Sequence, residues 1–251
     1  MKTNIDPSFI RENRKAQVLE IARRSLTSVG AHIVLIIFVA VVTPLRKDYP
    51  AVLIGFASLI CLNSIVRLVM GRKMPDIFDR SPVLWGRANA LLNAVSAALW
   101  GGLAVVFGFL YPLEWPFMFT LVINSGLAAG ATSSLGPDFS LSRTFSILML
   151  FPITVWGILN GTGLGIGVGI LCLFSCFMFI RMAKDNFHWY WENILNASRI
   201  SEQSEIMKGI FNTVHTNAET LNGSSKNLSL FSGEMNQNAC QMSDKLTDVV
   251  D

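Results

Sequence analysis

Six side chains that can form hydrogen bonds stand inside long apolar stretches of the sequence. They are a histidine, three asparagines, a tryptophan and a serine: His32, Asn63, Asn93, Trp100, Asn124 and Ser125. Polar groups inside a membrane are costly and frequently mark a functional site. Because this set is spread over several apolar segments, it could line one ligand pocket, in which these groups recognise a bound molecule by hydrogen bonds.

The same side chains also have a purely structural interpretation. Asn63, Asn93 and Asn124 could join neighbouring helices by hydrogen bonds, each worth about 0.6 kcal/mol in a membrane. His32 could sense protons or a metal ion, or it could reach lipid headgroups near one end of its segment. One histidine does not make a metal site, and the sequence contains no catalytic motif. We therefore expect neither a cofactor nor an enzyme.

The composition and the lengths of the apolar segments favour a membrane protein. Of the 251 residues, 51% are hydrophobic and 15% are charged, which is typical of integral membrane proteins. A helical span needs about 20 apolar residues. We predict an all-α fold with a six-helix transmembrane domain over residues 26–183, whose spans are residues 26–43, 51–70, 88–111, 116–135, 144–159 and 164–182.

Basic residues are distributed unevenly between the two sides of these spans. The segment of residues 1–25 and the loop after the second span are rich in Lys and Arg, whereas the outer side carries only Arg46 and Lys47. The positive-inside rule therefore puts both termini in the cytoplasm. We expect residues 1–25 to form a short amphipathic surface helix, and we count Arg67 among the loop charges. No nucleic-acid partner is indicated.

From Ile200 onwards, a large apolar residue recurs at every seventh position. The later members of this seam are Val214, Leu221, Leu228, Met235, Met242 and Val249, and a second series four positions after successive members, from Phe211 to Leu246, is mostly small. A sustained repeat of seven predicts a coiled coil, here in a multi-helix bundle. We predict that residues 184–251 form a cytoplasmic helix that continues the sixth span, pairs with a second copy and belongs to a longer chain.

Glycines in two spans allow further predictions. Gly126 and Gly130 lie four residues apart, a pattern that favours close helix packing in membranes. A second series, from Gly161 to Gly169, opens the sixth span and is predicted to soften the start of that helix. A flexible start would let the helix move relative to its neighbours.

Residues 222–229 (NGSSKNLS) and 231–239 (FSGEMNQNA) resemble the start of the cytoplasmic domain of methyl-accepting chemotaxis proteins. The resemblance implies a homodimer in a bacterial inner membrane, whose helices form a four-helix bundle, and a signal that reaches a chemotaxis adaptor and kinase. Those contacts would be made only by residues beyond Asp251, and no methylation context occurs here. The chain is thus expected to be a sensory transducer that carries the input and part of the relay.

Residues 97–102 (AALWGG) and 126–131 (GLAAGA) make the spans similar to input modules of bacterial histidine kinases and diguanylate cyclases. This second resemblance implies an alternative, in which the C-terminal helix only connects the spans to a catalytic domain. A small transporter is a further alternative, but it predicts inverted repeats and charged groups along a central pathway. We find neither in the spans.

Overall fold

The computed structural model describes residues 13–73 and 81–250, with the side chains at 25, 26, 82, 240, 241 and 243–250 outside that description. The described residues form seven helices and no strand: α1 (Arg14–Val42), α2 (Leu45–Asp48), α3 (Pro50–Arg72), α4 (Pro82–Leu110), α5 (Trp115–Ser134), α6 (Phe139–Leu159) and α7 (Gly163–Val250). The predicted all-α fold is therefore confirmed. The chain divides into two compact units, Met1–Asn193 and Ile194–Asp251.

Local sequence explains where three of these helices begin. Pro50 and Pro82 each occupy the first turn of a helix, where the missing N–H costs nothing and the fixed φ angle suits the helix. Asp138 caps α6, since its side chain accepts a hydrogen bond from the backbone N–H of Leu141 at 3.1 Å. A carboxylate in this position satisfies one of the N–H groups that a helix start leaves unpaired.

The first unit buries polar residues and exposes apolar ones. Among the buried polar side chains are Asn63, Ser64, Ser96, Thr120, Asn124 and Thr154, whereas Val34, Ile54, Leu91, Val122, Leu171 and Phe174 are exposed. Such an apolar exterior is unfavourable in water and favourable in lipid. Five of the described helices (α1, α3, α4, α6 and α7) are long and apolar enough to cross a membrane. The predicted membrane character is confirmed, while α5, the predicted fourth span, is not among those five.

The N-terminal helix differs from its prediction. Residues 14–25 do not form a separate surface helix, because α1 begins at Arg14 and runs without a break to Val42. Val18 and Ala22 are buried with Trp85 of α4, which explains why this segment belongs to the bundle. Residues 1–12 lie outside the described part of the chain.

The interface between α4 and α6 depends on a glycine opposite a proline. Pro152 lies inside α6 and has no N–H to donate to the carbonyl of Leu148. Gly101 lies against this same carbonyl, and a Cβ placed on it would be only 2.7 Å from the Leu148 oxygen. The absence of a side chain at Gly101 therefore lets α4 approach the part of α6 that proline leaves without its internal hydrogen bond.

The glycine series that opens α7 includes packing positions, which corrects the prediction that it mainly softens the helix. A Cβ on Gly157 of α6 would lie 2.7 Å from the Gly165 oxygen and 2.8 Å from the Gly169 Cα. Gly157 and Gly169 thus bring α6 and α7 into backbone contact, as small residues commonly do in membranes. Only Gly163 and Gly167 of the α7 series, with Gly161 in the preceding turn, face open space.

The last helix carries the predicted heptad seam. Continuity beyond residue 182 is confirmed, since α7 extends from Gly163 to Val250. In the second unit the seam residues are exposed by 58% to 75%, namely Val214, Leu221, Leu228, Met235 and Met242. The side chain of Val249 lies outside the described ones.

Candidate functional site

Three of the six candidate side chains form a buried chain of hydrogen bonds across three helices. Trp100 Nε1 of α4 donates to His32 Nδ1 of α1 at 2.9 Å, and Asn124 Nδ2 of α5 donates to the Trp100 carbonyl at 3.2 Å. Each of the three residues is at most 3% exposed. Because Nδ1 accepts this bond, the imidazole is assigned as neutral with its proton on Nε2. His32 therefore fixes α1 against α4.

A second polar group is built around Arg67. Its guanidinium donates from Nη1 to Ser96 Oγ at 3.1 Å and from Nη2 to Ser28 Oγ at 3.0 Å. Asn63 Nδ2 also donates to Ser96 Oγ, at 2.7 Å, and to the Leu92 carbonyl at 3.2 Å. Arg67 is 4% exposed, so a full positive charge lies inside the bundle where α1, α3 and α4 meet.

The position of Arg67 corrects its assignment to a cytoplasmic loop. It lies within α3, on the same helical face as Asn63, four residues earlier. This four-residue spacing from Asn63 is the feature of the sequence that could have identified Arg67 as a residue of the span. An ionisable residue inside a membrane helix is a strong indicator of function, so Arg67 becomes the most informative candidate residue of the bundle.

Asn93 behaves differently from the other two asparagines. Its Nδ2 donates to the carbonyl of Asn89 at 2.8 Å and to the Asn89 side chain at 3.1 Å, so its hydrogen bonds stay within α4. The structural prediction of an interhelical bond is confirmed for Asn63 and Asn124 and wrong for Asn93. Asn93 is 1% exposed, and its Oδ1 has no hydrogen-bond partner in the described structure. A buried acceptor without a donor is costly.

A cavity of about 590 Å³ lies between α1 and α5, beside these polar groups. Its apolar wall includes Leu35, Phe38, Phe119, Val122, Leu127 and Phe145, and its polar wall includes Arg24, Ser28, His32, Arg67, Asn93 and Ser134. The volume falls within the range of about 300–1,000 Å³ that is typical of small-molecule sites. The arrangement is therefore suited to a molecule with one polar end and one apolar end.

Gly126 and Gly130 help to create this cavity. Both line it, and a Cβ on either one would meet no atom within 4 Å. The predicted close helix packing at these two glycines is not found within the described chain, where the adjacent space is empty. On α5, the buried residues Ala128 and Thr132 face the protein instead. A carbonyl of this face, that of Thr132, accepts a hydrogen bond from Asn186 Nδ2 of α7 at 3.0 Å.

One end of the cavity is organised by charged and polar contacts between α1 and α5. Arg24 Nε donates to Glu20 Oε1 at 2.7 Å, and Arg24 Nη1 donates to the Ser133 carbonyl at 3.0 Å. At the other end, the rings of Phe38 and Phe119 lie 5.5 Å apart. The two ends therefore differ in polarity as well as in position.

The predicted set of six side chains is thus only partly assembled. Of the six, His32 and Asn93 line the cavity, and His32 connects through Trp100 to Asn124. Asn63 joins the group around Arg67, while Ser125 is half-buried and lies outside the cavity lining. The described residues contain no cluster of three or more His, Cys, Asp or Glu side chains that could hold a metal ion. No known protein family, curated protein or solved structure matches this chain.

Proposed function

We propose that this chain is a membrane-embedded sensory transducer of the kind it resembles, the methyl-accepting chemotaxis proteins. In this proposal a bundle of six spans in a bacterial inner membrane biases a cytoplasmic coiled coil formed with a second copy. The observation that carries the proposal is the exposed apolar seam of α7, the same helix that supplies the last candidate span.

The seam is the part of the second unit that requires a partner. Leu221 and Leu228 are exposed by 75% and 74%, and burying a leucine is worth about 1.5–3 kcal/mol. Helices with such a repeat pair side by side, inserting each seam residue between residues of the facing helix. A second copy presents the identical seam in register, so a parallel homodimer would bring the large seam residues of two helices together, as the predicted multi-helix bundle requires.

The surroundings of α5 support six spans rather than five. Its 20 residues extend about 30 Å at 1.5 Å per residue, which is the thickness of the hydrocarbon core. The polar residues that lower its hydropathy, among them Thr120, Asn124 and Thr132, are at most 2% exposed, whereas Val122 is 70% exposed. The helix therefore presents an apolar face to lipid and keeps its polar groups within the protein.

Cysteine labelling tests both the six spans and the orientation. In a variant without native cysteines, Glu114→Cys and Ser140→Cys place single thiols at exposed positions on either side of α5. A membrane-impermeant maleimide is expected to label Glu114→Cys in intact cells and Ser140→Cys only after lysis. Labelling of Ser140→Cys in intact cells would mean that α5 does not cross the membrane with the proposed orientation.

Disulfide crosslinking tests the proposed homodimer. In the same cysteine-free background, Leu221→Cys and Leu228→Cys place a thiol in the seam, and Glu219→Cys and Lys226→Cys place one on the opposite face of α7. A parallel pair is expected to give rapid crosslinking at the two seam positions and little at the two controls. Equal rates at all four positions would contradict a paired seam.

A further inference from the structure

The C-terminal end of α5 is held by side chains of two other helices. A helix leaves its last four carbonyl groups without hydrogen-bond partners of its own. In α5, the Thr132 carbonyl accepts a hydrogen bond from Asn186 Nδ2 of α7 at 3.0 Å. The Ser133 carbonyl accepts one from Arg24 Nη1 of α1, also at 3.0 Å, which places a positive charge at the negative end of the helix dipole. The last turn of α5 therefore joins α1, α5 and α7.

Arg24 contacts all three helices with one guanidinium group. Its Nε donates to Glu20 Oε1 at 2.7 Å within α1, and its Nη1 donates to the Ser133 carbonyl of α5. The guanidinium carbon lies 5.8 Å from the centre of the Tyr190 ring of α7, within the range of a cation–π interaction. A lysine cannot replace this arginine, because an ammonium is a compact point charge that lacks the planar fork of donors.

The surrounding packing brings α7 close to this turn. A Cβ placed on Gly136, just beyond α5, would lie 3.1 Å from the Ser133 oxygen and 3.5 Å from the Asn186 Cβ. On α7, Ala183 and Trp191 are fully buried on either side of Asn186. The contacts of Asn186 and Tyr190 are therefore made by a well-packed part of α7, shortly before this helix leaves the first unit.

The same turn also borders the cavity between α1 and α5. Arg24, Ala131 and Ser134 all line that cavity. A wider spacing of α1 and α5 would draw Arg24 Nη1 away from the Ser133 carbonyl, and an increase of about 1 Å breaks a hydrogen bond of this length. The spacing of α1 and α5 is therefore connected to the contacts that hold α7.

We propose that Arg24 and Asn186 form a clamp on the last turn of α5, which fixes α7 where it leaves the first unit and opens when α1 and α5 move apart. Packed helices change between discrete arrangements rather than deforming continuously, so loss of the Arg24 contacts frees this part of α7. The use of the clamp in signalling rests on the proposed function. The clamp itself is a property of the first unit alone.

The clamp is tested by the distance between two spin labels in the full-length chain in lipid nanodiscs. In the cysteine-free background, Ser140→Cys of α6 and Lys184→Cys of α7 provide exposed sites outside the clamp. An excess of unlabelled chain restricts the measurement to distances within one chain. The chain with an intact clamp is expected to give one narrow distance distribution.

Removal of either clamp residue is expected to broaden this distribution at least twofold. Arg24→Gln removes the contacts to Ser133 and Tyr190, and Asn186→Ala removes the bond to Thr132. The matched controls are Arg23→Gln, since Arg23 bonds to the same Glu20 but is largely exposed, and Asn193→Ala, at an exposed position of α7. Both controls should leave the distribution unchanged. If Arg24→Gln does not fold, Asn186→Ala provides the independent test.

A second pair of variants tests whether the spacing of α1 and α5 opens the clamp. Gly130 lines the cavity and Gly30 does not, while a Cβ on either one would meet no atom within 4 Å. Gly130→Trp places a ring between α1 and α5 and should broaden the distribution as Arg24→Gln does. Gly30→Trp adds the same ring to α1 outside the cavity and should have no effect.

Three outcomes would overturn the proposal. They are an unchanged distribution in Arg24→Gln or Asn186→Ala, equal broadening in the matched controls, and an unchanged distribution in Gly130→Trp. The measurement reports distances within one chain and involves neither the seam nor a signalling readout. Its failure is therefore distinguishable from failure of the proposed homodimer, which the crosslinking of Leu221→Cys and Leu228→Cys would reveal.

Discussion

In the unit that ends at Asn193, buried side chains include Asn63, Asn124 and Thr154, and apolar residues such as Val34 and Phe174 lie outermost. In the unit that begins at Ile194, every described side chain from residue 196 to 239 is exposed, polar and apolar alike. The first arrangement is stable when lipid is the solvent, because lipid accepts the apolar surface. The second leaves apolar side chains in water. The comparison teaches that the bundle has the surface of a membrane protein, and it supports the proposal that the C-terminal unit pairs with another helix.

The largest effect is expected at the apolar seam of the C-terminal unit. Replacing both Leu221 and Leu228 with lysine removes two apolar seam residues, each worth about 1.5–3 kcal/mol when buried, and places like charges opposite each other in the proposed dimer. We expect the dimer affinity, measured by analytical ultracentrifugation in detergent, to fall at least a hundredfold. The thermal unfolding of the bundle should not change. The double variant Glu219→Lys and Asn212→Lys, on the opposite face, is the control; equal losses would contradict the seam.

The next effect concerns packing inside the bundle. Gly157→Ala places a methyl group within 2.8 Å of backbone atoms of Gly165 and Gly169, and overpacking of this kind costs about 1–3 kcal/mol. We expect a lower midpoint of thermal unfolding, followed by tryptophan fluorescence in detergent. Gly167→Ala adds the same methyl group in open space and should leave the midpoint unchanged or slightly higher. Matching midpoints for the two variants would show that α6 and α7 do not touch at these glycines.

A smaller effect is expected at the hydrogen bond between Trp100 and His32. Trp100→Phe removes the Nε1 donor and leaves His32 Nδ1 without its partner, whereas His32→Leu removes the acceptor. In a double-mutant cycle on unfolding free energies, the pair should show a coupling of about 0.6–1.7 kcal/mol, the range for such bonds in membranes. Strictly additive losses would indicate that the two side chains do not interact.

The smallest effect is expected at Asn63. Asn63→Ala removes the bonds to Ser96 Oγ and to the Leu92 carbonyl, at a cost of about 0.6 kcal/mol for each interhelical bond. The unfolding free energy should fall by about 1 kcal/mol. Ser125→Ala, a half-buried position outside these networks, is the matched control. A drop in unfolding free energy no larger than that of the control would show that the hydrogen bonds of Asn63 do not stabilise the bundle.

The helices could be predicted from the sequence, because apolar blocks of span length end at residues such as Pro44 and Asn160. The candidate site could be predicted only in part. Asn124 and Trp100 are recognisable as polar or aromatic residues in apolar surroundings, but Arg67 is close to a run of loop charges and was assigned to it. The burial of Arg67 depends on the rotation of α3 about its axis, which turns this residue towards α1 and α4.

The glycines illustrate the same limit. Gly126 and Gly130 have the four-residue spacing of a packing motif, but they face a cavity. Gly157 of α6 and Gly169 of α7 do not share one helix, yet they form a contact between the two helices. Whether a glycine touches a neighbour is decided by the rotation and crossing of helices, which spacing within a single helix does not specify. The cavity itself, a gap between α1 and α5, has no counterpart in the sequence.

The central claim is that one uninterrupted helix joins the last span to the paired seam. Spin labels placed singly at successive positions from Lys184 to Ser204 of the full-length chain in lipid test it directly. The account predicts accessibility that oscillates with a period of about 3.6 residues, along with low backbone mobility throughout. High mobility with no periodicity would reveal an unwound tether, which could not transmit a change in packing, and would contradict the proposed relay.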